Sequence, residues 1–212
     1  WRLLVSVDCQ VSSEQALREI LGEPVHELVL AKSAPTLTQP VRAFIEMSPF
    51  LCLATHAQDG SADVSPRGDA PGFVAIRDER TLIIPERPGN KRLDSVINII
   101  NQPHLGLLFV IPGVQETVRV NGTGVITTDP DVLGQFSVNG KLPQVAIVVS
   151  VIEAMGHCSK ALRRSKLWQN DYRAQEKVPT LAEMMSGHLA LDAATQTMLV
   201  DAIEDDAENN LY

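Results

Sequence analysis

The sequence predicts an α+β protein that is mainly β, in which a small closed or nearly closed β-barrel carries inserted and appended helices. Three observations support this prediction. Six or seven apolar runs follow one another in antiparallel hairpin order, without the regular alternation with helices that a doubly wound sheet requires. The chain has 212 residues, which suits one domain. Hydrophobic residues make up 44% of it and charged residues 21%, which is enough for a full core.

Two helices are predicted before the first strand. Ser12 opens a capping-box pattern, and the helix over residues 13–21 ends at Gly22. The second helix begins after Thr38 and runs to about Met47, with a proline in its first turn.

The strands are predicted from apolar or β-branched runs that are bounded by turn residues. In chain order they cover residues 50–56, 61–66, 73–76, 81–85, 104–111, 116–127 and 144–154. Asp59-Gly60 is a strong hairpin signal between the first two strands. One helix interrupts the series. Asn90 is its predicted cap, and four apolar residues with helical spacing follow on one face: Leu93, Val96, Ile97 and Ile100.

Helices are predicted again toward the C-terminus. A short helix follows Asp129-Pro130, a basic helix covers residues 160–168, and residues 180–209 are helical and end in an acidic tail. The predicted organisation is a single domain over residues 1–212. Its parts are an N-terminal helical elaboration at 1–48, a barrel core at 49–155, and C-terminal helices with the acidic tail at 156–212.

Composition and charge argue against several classes of function. Lys and Arg number 18 and Asp and Glu 26, so the net charge is −8, which argues against a general nucleic-acid binder. No apolar run reaches the roughly 18 residues of a membrane helix, and no secretion signal is recognisable at the N-terminus. Cys9, Cys52 and Cys158 are too scattered for a disulfide framework or a metal site. We therefore expect a cytoplasmic protein with no metal, no nucleic acid and no membrane partner.

Two familiar motifs are incomplete in this sequence. Gly122-Thr-Gly124 begins like a dinucleotide-binding fingerprint, but the third glycine is missing and the segment continues as a strand. These residues are therefore predicted to be turn or bulge glycines. No Gly-x-Ser-x-Gly nucleophile elbow occurs, so the common hydrolase nucleophile is not predicted either.

One basic cluster is present in this acidic chain. Five of its 18 basic residues lie between positions 77 and 92, and the last two, Lys91 and Arg92, fall in the first turn of the predicted helix. Cations at a helix N-terminus oppose the helix dipole. An anion placed there would meet free N–H groups, the dipole and both cations, which is how phosphates are bound. The residues alone leave two interpretations open, a phosphate site and a solvated basic face.

The segment from Asp78 to Arg92 resembles the strand–loop–helix of the pyridoxamine 5′-phosphate oxidase superfamily, in which a Gly-Ser-Arg-Lys motif binds the phosphate of FMN. Gly89-Asn-Lys-Arg92 occupies the place of that motif. Asn101-Gln-Pro103 and Glu116-Thr-Val-Arg-Val-Asn-Gly122 are similar to the steps that follow in this family. The resemblance covers about residues 50–151.

The resemblance implies a split β-barrel homodimer with one FMN in each of two clefts at the dimer interface. Ser65-Pro-Arg-Gly-Asp69 and His157-Cys-Ser-Lys-Ala161 are similar to features of an uncharacterised FMN-binding branch of the superfamily. No catalytic residue is implied, and His157 is the only candidate that we name for proton transfer. Carried over by position, the implied cofactor-binding residues are Ser65, Arg67, Asp69, Pro85, Glu86, Asn90, Lys91, Arg92, Thr117 and Lys160.

The same resemblance implies what the residues around the basic cluster do. Lys91 and Arg92 hold the phosphate, with Asn90 and neighbouring N–H groups beside them. Pro85 and Glu86 lie where the family places backbone along the flavin ring.

For the other implied residues, alternatives stay open. Arg67 binds the phosphate or the ring edge, or forms a buried ion pair with Asp69. Thr117 replaces a family glutamine that reaches the flavin. Lys160, and less directly Trp168, reach the cleft of the partner subunit. The alternative for these two is a surface helix with a tryptophan anchor.

The resemblance thus implies an FMN-binding flavoprotein. We expect an FMN-dependent oxidoreductase that acts on an unknown small molecule, with O₂ or a nicotinamide cofactor as redox partner. The protein would bind, orient and tune the flavin, and Arg67 or Lys160 is the expected positive group beside the reduced ring. The Arg-Leu-His-type segment of true pyridoxamine phosphate oxidases is not found, so oxidation of that vitamer is not expected. The alternatives are a non-enzymatic flavin- or haem-binding module and a deazaflavin-dependent reductase on the same fold.

Overall fold

The computed structural model describes residues 9–24, 27–169, 178–189, 191–209 and 212. The chain forms two compact units, residues 1–33 and residues 34–212. Residues 1–8 of the predicted N-terminal elaboration and residues 170–177 of the predicted C-terminal part lie outside the described residues. The division of the chain into one domain with three parts stays a prediction.

The first unit contains two short helices, α1 (Glu14–Leu21) and α2 (Glu27–Ala31). The cap of α1 is Ser13 rather than Ser12, because the Ser13 hydroxyl accepts a hydrogen bond from the N–H of Ala16 at 3.1 Å. Gly22 ends the helix as predicted, with a φ of 79° that suits glycine. No pattern in the sequence predicted α2.

The second unit is built on a seven-stranded antiparallel sheet. Its order is β2-β1-β5-β6-β7-β4-β3, so the fold class predicted from the sequence is confirmed. The sheet is not closed, because β2 and β3 each pair with a single strand. The strands are β1 (Phe50–His56), β2 (Ala62–Gly68), β3 (Ala75–Asp78), β4 (Thr81–Pro85), β5 (His104–Val110), β6 (Thr117–Thr127) and β7 (Ala146–His157).

Helices occupy the connections of this unit and its C-terminal part. The predicted basic helix is shorter than expected, because Lys166 adopts a left-handed backbone and the helix ends at Ser165. No helix among the described residues is long and apolar enough to span a bilayer. The helices are α3 (Gln39–Met47), α4 (Asp94–Asn101), α5 (Pro130–Leu133) with a 3₁₀ turn (Gly134–Phe136), α6 (Lys160–Ser165), α7 (Leu181–Leu189) and α8 (Ala193–Asn209).

Alternation along the strands builds one main core. Every second side chain of β1 and β5 is buried, as the two-residue period of a strand requires. Ile45 of α3 and Ile99 of α4 pack into the same cluster. The fully buried side chains include Leu51, Leu53, Leu107, Phe109, Val120, Ile147 and Val149.

The other side chains of these strands form a second surface, which we call the outer face. Three rows cross it in register, one of them through Cys52, Leu108 and Arg119. The part built from β2, β1 and β5 is apolar and only partly covered. Val64 is 67% exposed and Phe50 37% exposed. An exposed apolar sheet face of this kind is typical of an interaction surface.

Gly122 and Gly124 have structural roles, as the sequence predicted. The pairing of β6 with β7 shifts between Asn121 and Gly122, which marks a β-bulge. A Cβ atom on Gly122 would collide with the backbone oxygen of Ser150. A Cβ atom on Gly124 would lie 2.8 Å from a methyl carbon of Leu105.

We predict that Gly122→Ala lowers the free energy of unfolding by about 1–3 kcal/mol or more, because backbone atoms must move to accept the new methyl group. Urea denaturation measures this change. Gly106→Ala is the matched control, since its Cβ atom would meet its nearest neighbour, Asn121 Oδ1, at 3.5 Å, an ordinary contact. Equal losses for the two variants would contradict the assignment of Gly122 to the bulge.

Candidate functional site

The basic cluster identified in the sequence lies in a loop of residues 86–93 that joins β4 to α4. Two ion pairs tie the start of this loop to the end of β2. Arg67 Nη1 lies 2.5 Å from Glu86 Oε1, and Arg87 Nε lies 2.8 Å from Asp69 Oδ2. All four side chains are largely buried, with exposed fractions of 16% for Arg67, 17% for Glu86, 16% for Arg87 and 4% for Asp69. We call these contacts the root of the loop.

The ion pair between Arg67 and Asp69, which the sequence analysis left open, is not formed. Arg67 lies within β2, opposite Leu51, and its side chain is on the inner face. Asp69 follows the strand, and its N–H donates to Pro49 O at 3.1 Å. Each residue pairs instead with one of the two neighbouring residues, Glu86 and Arg87, that follow β4.

Asp69 is held in its charged form. Burial alone would raise the pKa of this carboxyl. Hydrogen bonds from the Ala70 N–H, the Tyr212 hydroxyl and Arg87, together with the positive charge of Arg87, outweigh burial and hold the pKa below its usual value. Arg87 also donates from Nη1 to Phe136 O at 2.9 Å, so its guanidinium is fixed on both sides.

Beyond the root, residues 88–93 are exposed to solvent. Asn90 does not cap α4, which begins at Asp94, so Lys91 and Arg92 lie before the helix and not in its first turn. The reason is local: the side-chain oxygen of Asn90 accepts a hydrogen bond from the Arg92 N–H at 3.0 Å and closes a turn of its own. The prediction that the helix starts near Asn90 is therefore wrong.

Two residues of this turn have a left-handed backbone. Lys91 and Leu93 have φ angles of 58° and 62°, while Arg92 between them does not have a positive φ. Residues other than glycine rarely adopt a positive φ. When they do, they are often found at functional sites. Left-handed residues also occur in backbone nests, in which successive N–H groups converge on an anion.

The charges of the turn face outward. Arg92 Nε lies 2.9 Å from Asp94 Oδ2, and this hydrogen bond raises the pKa of Arg92. Both partners are exposed, so the pair contributes little free energy and an incoming anion can compete for Arg92. Lys91 forms no ion pair with a residue that the structure describes. Two cations thus remain available at one exposed turn.

Polar contacts beneath the turn fix α4 against β2. Ser95 Oγ donates to Ser65 Oγ at 3.0 Å. Asn98 Nδ2 donates to Asp63 Oδ2 at 2.7 Å and to Thr55 Oγ1 at 3.1 Å. Ser65 and Arg67 therefore lie on the same strand and face, one supporting α4 and the other the root. Because both ends of the 86–93 loop are held by β2, the exposed turn between them has a defined position.

The root also contains unsatisfied polar atoms. Arg67 Nε and Glu86 Oε2 are buried, and neither has a hydrogen-bond partner among the described residues. One is a donor and the other an acceptor, and leaving such groups unpaired costs about 1–3 kcal/mol each. A ligand or a water with both a donor and an acceptor would satisfy the pair.

Two of the predicted cofactor-binding residues lie apart from the loop. Thr117 is buried at the start of β6, between Val110 of β5 and His157 of β7. Lys160 is exposed at the first position of α6. No hydrogen bond or ion pair among the described residues joins either of them to the 86–93 loop. Trp168 is half-buried and donates from Nε1 to Val114 O at 2.8 Å, as a tryptophan anchor would.

Three supporting residues were not singled out from the sequence. Asn98 and Ser95 are polar residues on the buried face of an otherwise apolar helix, and that interruption was a signal available in the sequence. No sequence pattern indicated Tyr212, because it lies 143 positions from Asp69, the residue that it contacts. No three His, Cys, Asp or Glu side chains among the described residues are grouped closely enough to hold a metal ion.

Comparison with known proteins identifies the family. The sequence matches the family model described as pyridoxamine 5′-phosphate oxidase over residues 37–158, more than half of the chain. The chain belongs to the pyridoxamine 5′-phosphate oxidase family. The matched region runs from just before α3 to the end of β7 and includes the whole sheet and the 86–93 loop.

Several solved structures are similar to part of the chain. The HupZ protein of Group A Streptococcus is 19% identical, with a TM-score of 0.46 over 55% of this chain and 90% of that protein. General stress protein 26 of Bacillus anthracis is 15% identical, with a TM-score of 0.42 over 54% and 88%. An FMN-binding protein from Syntrophomonas wolfei is 9% identical, with a TM-score of 0.41 over 67% and 95%. No curated protein sequence matches the chain.

We predict that Asp69→Asn lowers the free energy of unfolding at pH 7 by about 3–5 kcal/mol, because Arg87 loses its buried counter-charge. The pKa of Asp69 is lower in the folded protein than its ordinary value of about 3.9. Its stabilisation is therefore complete above that pH and is lost as the pH falls through the folded pKa. Urea denaturation of both proteins between pH 3 and pH 7 should show their difference narrowing on the acid side. If the difference in the free energy of unfolding between the two proteins does not change with pH, the charge of Asp69 is not its source.

Proposed function

We propose that this protein is an FMN-binding flavoprotein and that the 86–93 loop binds the FMN phosphate. The observation that carries the proposal is the exposed turn with Lys91 and Arg92, held at both ends by β2, in a member of the pyridoxamine 5′-phosphate oxidase family. A phosphate needs local positive charge in a chain of net charge −8. The two cations and the N–H groups around Asn90 supply it.

The residues present fit such a group. The left-handed backbone at Lys91 and Leu93 is a conformation that the turn maintains at a cost of about 1–3 kcal/mol per residue, which an anion would offset. The unpaired Arg67 Nε and Glu86 Oε2 fit a ligand with both an acceptor and a donor, as the flavin ring edge has. Asp69 has a different role from the residues that would contact the flavin. Its described contacts hold Arg87 and the root in place.

We propose an FMN-dependent oxidoreductase that acts on a small molecule with O₂ or a nicotinamide cofactor as redox partner. When bound, FMN supplies two-electron transfer, and the chain binds and orients it. Arg67 lies at the root as a fixed positive charge that would stabilise a reduced, anionic ring. His157 stays the candidate for proton transfer, at the end of β7 opposite Thr117.

We also propose that the protein is a homodimer that pairs through its outer face. The apolar part of this face lies on β2, β1 and β5, where Val64, Phe50 and Leu108 are exposed or half-buried. Covering it would remove apolar surface from water at about 25 cal/mol per Å². Pairing of two copies would also offer a way for Thr117 and Lys160 to approach the 86–93 loop of the other copy.

We predict that Arg92→Ala and Lys91→Ala each weaken FMN binding by about ten- to a hundredfold. A hydrogen bond to a charged group contributes roughly 1.5–3 kcal/mol, and about 1.4 kcal/mol corresponds to a tenfold change. Riboflavin lacks the phosphate, so its affinity should barely change. Flavin titration followed by fluorescence measures both ligands, and Arg163→Ala on α6 is the control for loss of an exposed cation.

Lys91→Gly separates charge from backbone strain in the same experiment. Glycine adopts positive φ readily, so this variant should be about 1 kcal/mol more stable than Lys91→Ala while losing the same FMN affinity. Unchanged FMN binding in all three variants would assign the cluster to a solvated basic face. Tight binding of haem or a deazaflavin but not of FMN would favour the alternative functions.

We predict a species near twice the chain mass of 23.1 kDa in light scattering after size exclusion. Leu108→Lys places a charge on the outer face beside Arg119 and should give a monomer, because a stable interface cannot bury an unpaired cation. Met198→Lys replaces an apolar side chain that is 72% exposed on α8 and should leave the mass unchanged. A wild-type monomer that binds FMN stoichiometrically would refute the dimer.

A further inference from the structure

Tyr212 contacts the root of the 86–93 loop. Its hydroxyl donates a hydrogen bond to Asp69 Oδ1 at 2.8 Å, and its ring lies 5.4 Å from the guanidinium carbon of Arg87. Its own backbone oxygen accepts a hydrogen bond from Lys141 Nζ at 2.7 Å. The side chain thus touches both members of one ion pair while its backbone is held by a third residue.

The hydrogen bonds of Asp69 explain why the hydroxyl matters. One carboxylate oxygen faces Arg87, and the other receives the Ala70 N–H and the Tyr212 hydroxyl. The Asp69 side chain is 4% exposed, so water cannot readily replace a lost donor. Without the hydroxyl, Oδ1 keeps only the Ala70 N–H, and the carboxylate gains freedom to turn away from Arg87.

Arg87 connects the Asp69 carboxylate to the loop. Arg87 is adjacent to Glu86 and precedes the exposed turn of residues 88–93 directly. The tyrosine ring lies within cation–π distance of the guanidinium, while Asp69 and Phe136 O hold its N–H groups. Few other described contacts hold the first half of the loop, among them the hydrogen bond from the Glu86 N–H to Val145 O at 3.0 Å.

We propose that Tyr212 is a positioning residue for the anion-binding loop, which it holds in its binding conformation through Asp69 and Arg87. The identity of the bound anion rests on the proposed function, whereas the contact and its effect on the loop do not. Because binding couplings are reciprocal, an anion held by Lys91 and Arg92 also strengthens the docking of Tyr212. Tyr212 touches no ligand in this proposal, and it acts only by reducing the number of conformations that the loop samples.

The test uses Tyr212→Phe in the full chain, which keeps the ring on Arg87 and removes only the hydroxyl. In ligand-free protein, we expect the Glu86 amide to exchange with deuterium about three- to tenfold faster, the effect of losing one hydrogen bond. We expect the Kd for FMN to rise by about the same factor, with riboflavin binding within about twofold of wild type. Tyr212→Ala also removes the ring, so it should increase both the exchange rate of the Glu86 amide and the Kd for FMN more than Tyr212→Phe does.

A double-mutant cycle and a control separate positioning from general stability. In the Asp69→Asn background, Tyr212→Phe should add little, because the acceptor charge is already gone. Trp168→Phe removes a comparable aromatic hydrogen bond, to Val114 O, and should leave Glu86 exchange unchanged. Additive effects in the cycle, or unchanged Glu86 exchange in Tyr212→Phe, would overturn the proposal.

The flavin titrations distinguish this proposal from the proposed function. If wild-type protein fails to bind FMN while Tyr212→Phe still speeds Glu86 exchange, the proposed function fails and the positioning role stands. If wild type binds FMN and Tyr212→Phe weakens FMN and riboflavin equally, Tyr212 acts on the whole fold and the positioning role fails.

Discussion

The two ion pairs at the root are the interaction on which the candidate site depends. Buried ion pairs contribute little net stability, because the cost of removing both charges from water offsets their attraction. Losing one partner of such a pair, however, costs about 3–5 kcal/mol, so the pairing itself is strongly specified. Arg67 pairs with Glu86, and Asp69 pairs with Arg87. These two pairs fix the start of the loop in one position on β2. The exposed turn obtains its position from this choice rather than from contacts of its own.

The turn itself is locally unfavourable, and this supports a functional interpretation. Lys91 and Leu93 are held at positive φ, and Lys91 and Arg92 bring positive charge close together. Each of these features would be relieved by a glycine or a neutral residue. The left-handed backbone at Lys91 and Leu93 also prevents α4 from starting earlier, so the helix begins at Asp94 with an acidic side chain beside Arg92. A bound anion would replace the exposed, weak ion pair between Arg92 and Asp94 with stronger contacts to Arg92.

The sequence predicted the strands more accurately than it predicted the start of α4. Strands such as β4 have an apolar run and clear turn residues at both ends, and their bounds were predicted as observed. The start of α4 was misplaced because Asn90 can close a turn as readily as it caps a helix, and only the following backbone decides between them. The sequence left Arg67 between a ligand contact and an ion pair with Asp69, and it did not indicate Glu86, because that pairing depends on the tertiary structure. Tyr212 required the tertiary structure, since no local pattern links it to Asp69.

The two groups of candidate residues raise one question about assembly. Ser65, Arg67, Glu86 and the exposed turn meet around β2, whereas Thr117 lies at the start of β6 and Lys160 lies in α6, after β7. Two strands, β1 and β5, lie between β2 and β6 in the sheet, and no hydrogen bond or ion pair among the described residues connects the two groups within a chain. We propose that, if both groups bind the same ligand, the second group comes from another copy that pairs through the apolar part of the outer face. If they do not, the loop and its root must hold the anion alone, and the outer face needs a different partner. The oligomeric state therefore decides whether Lys160 belongs to the site at all.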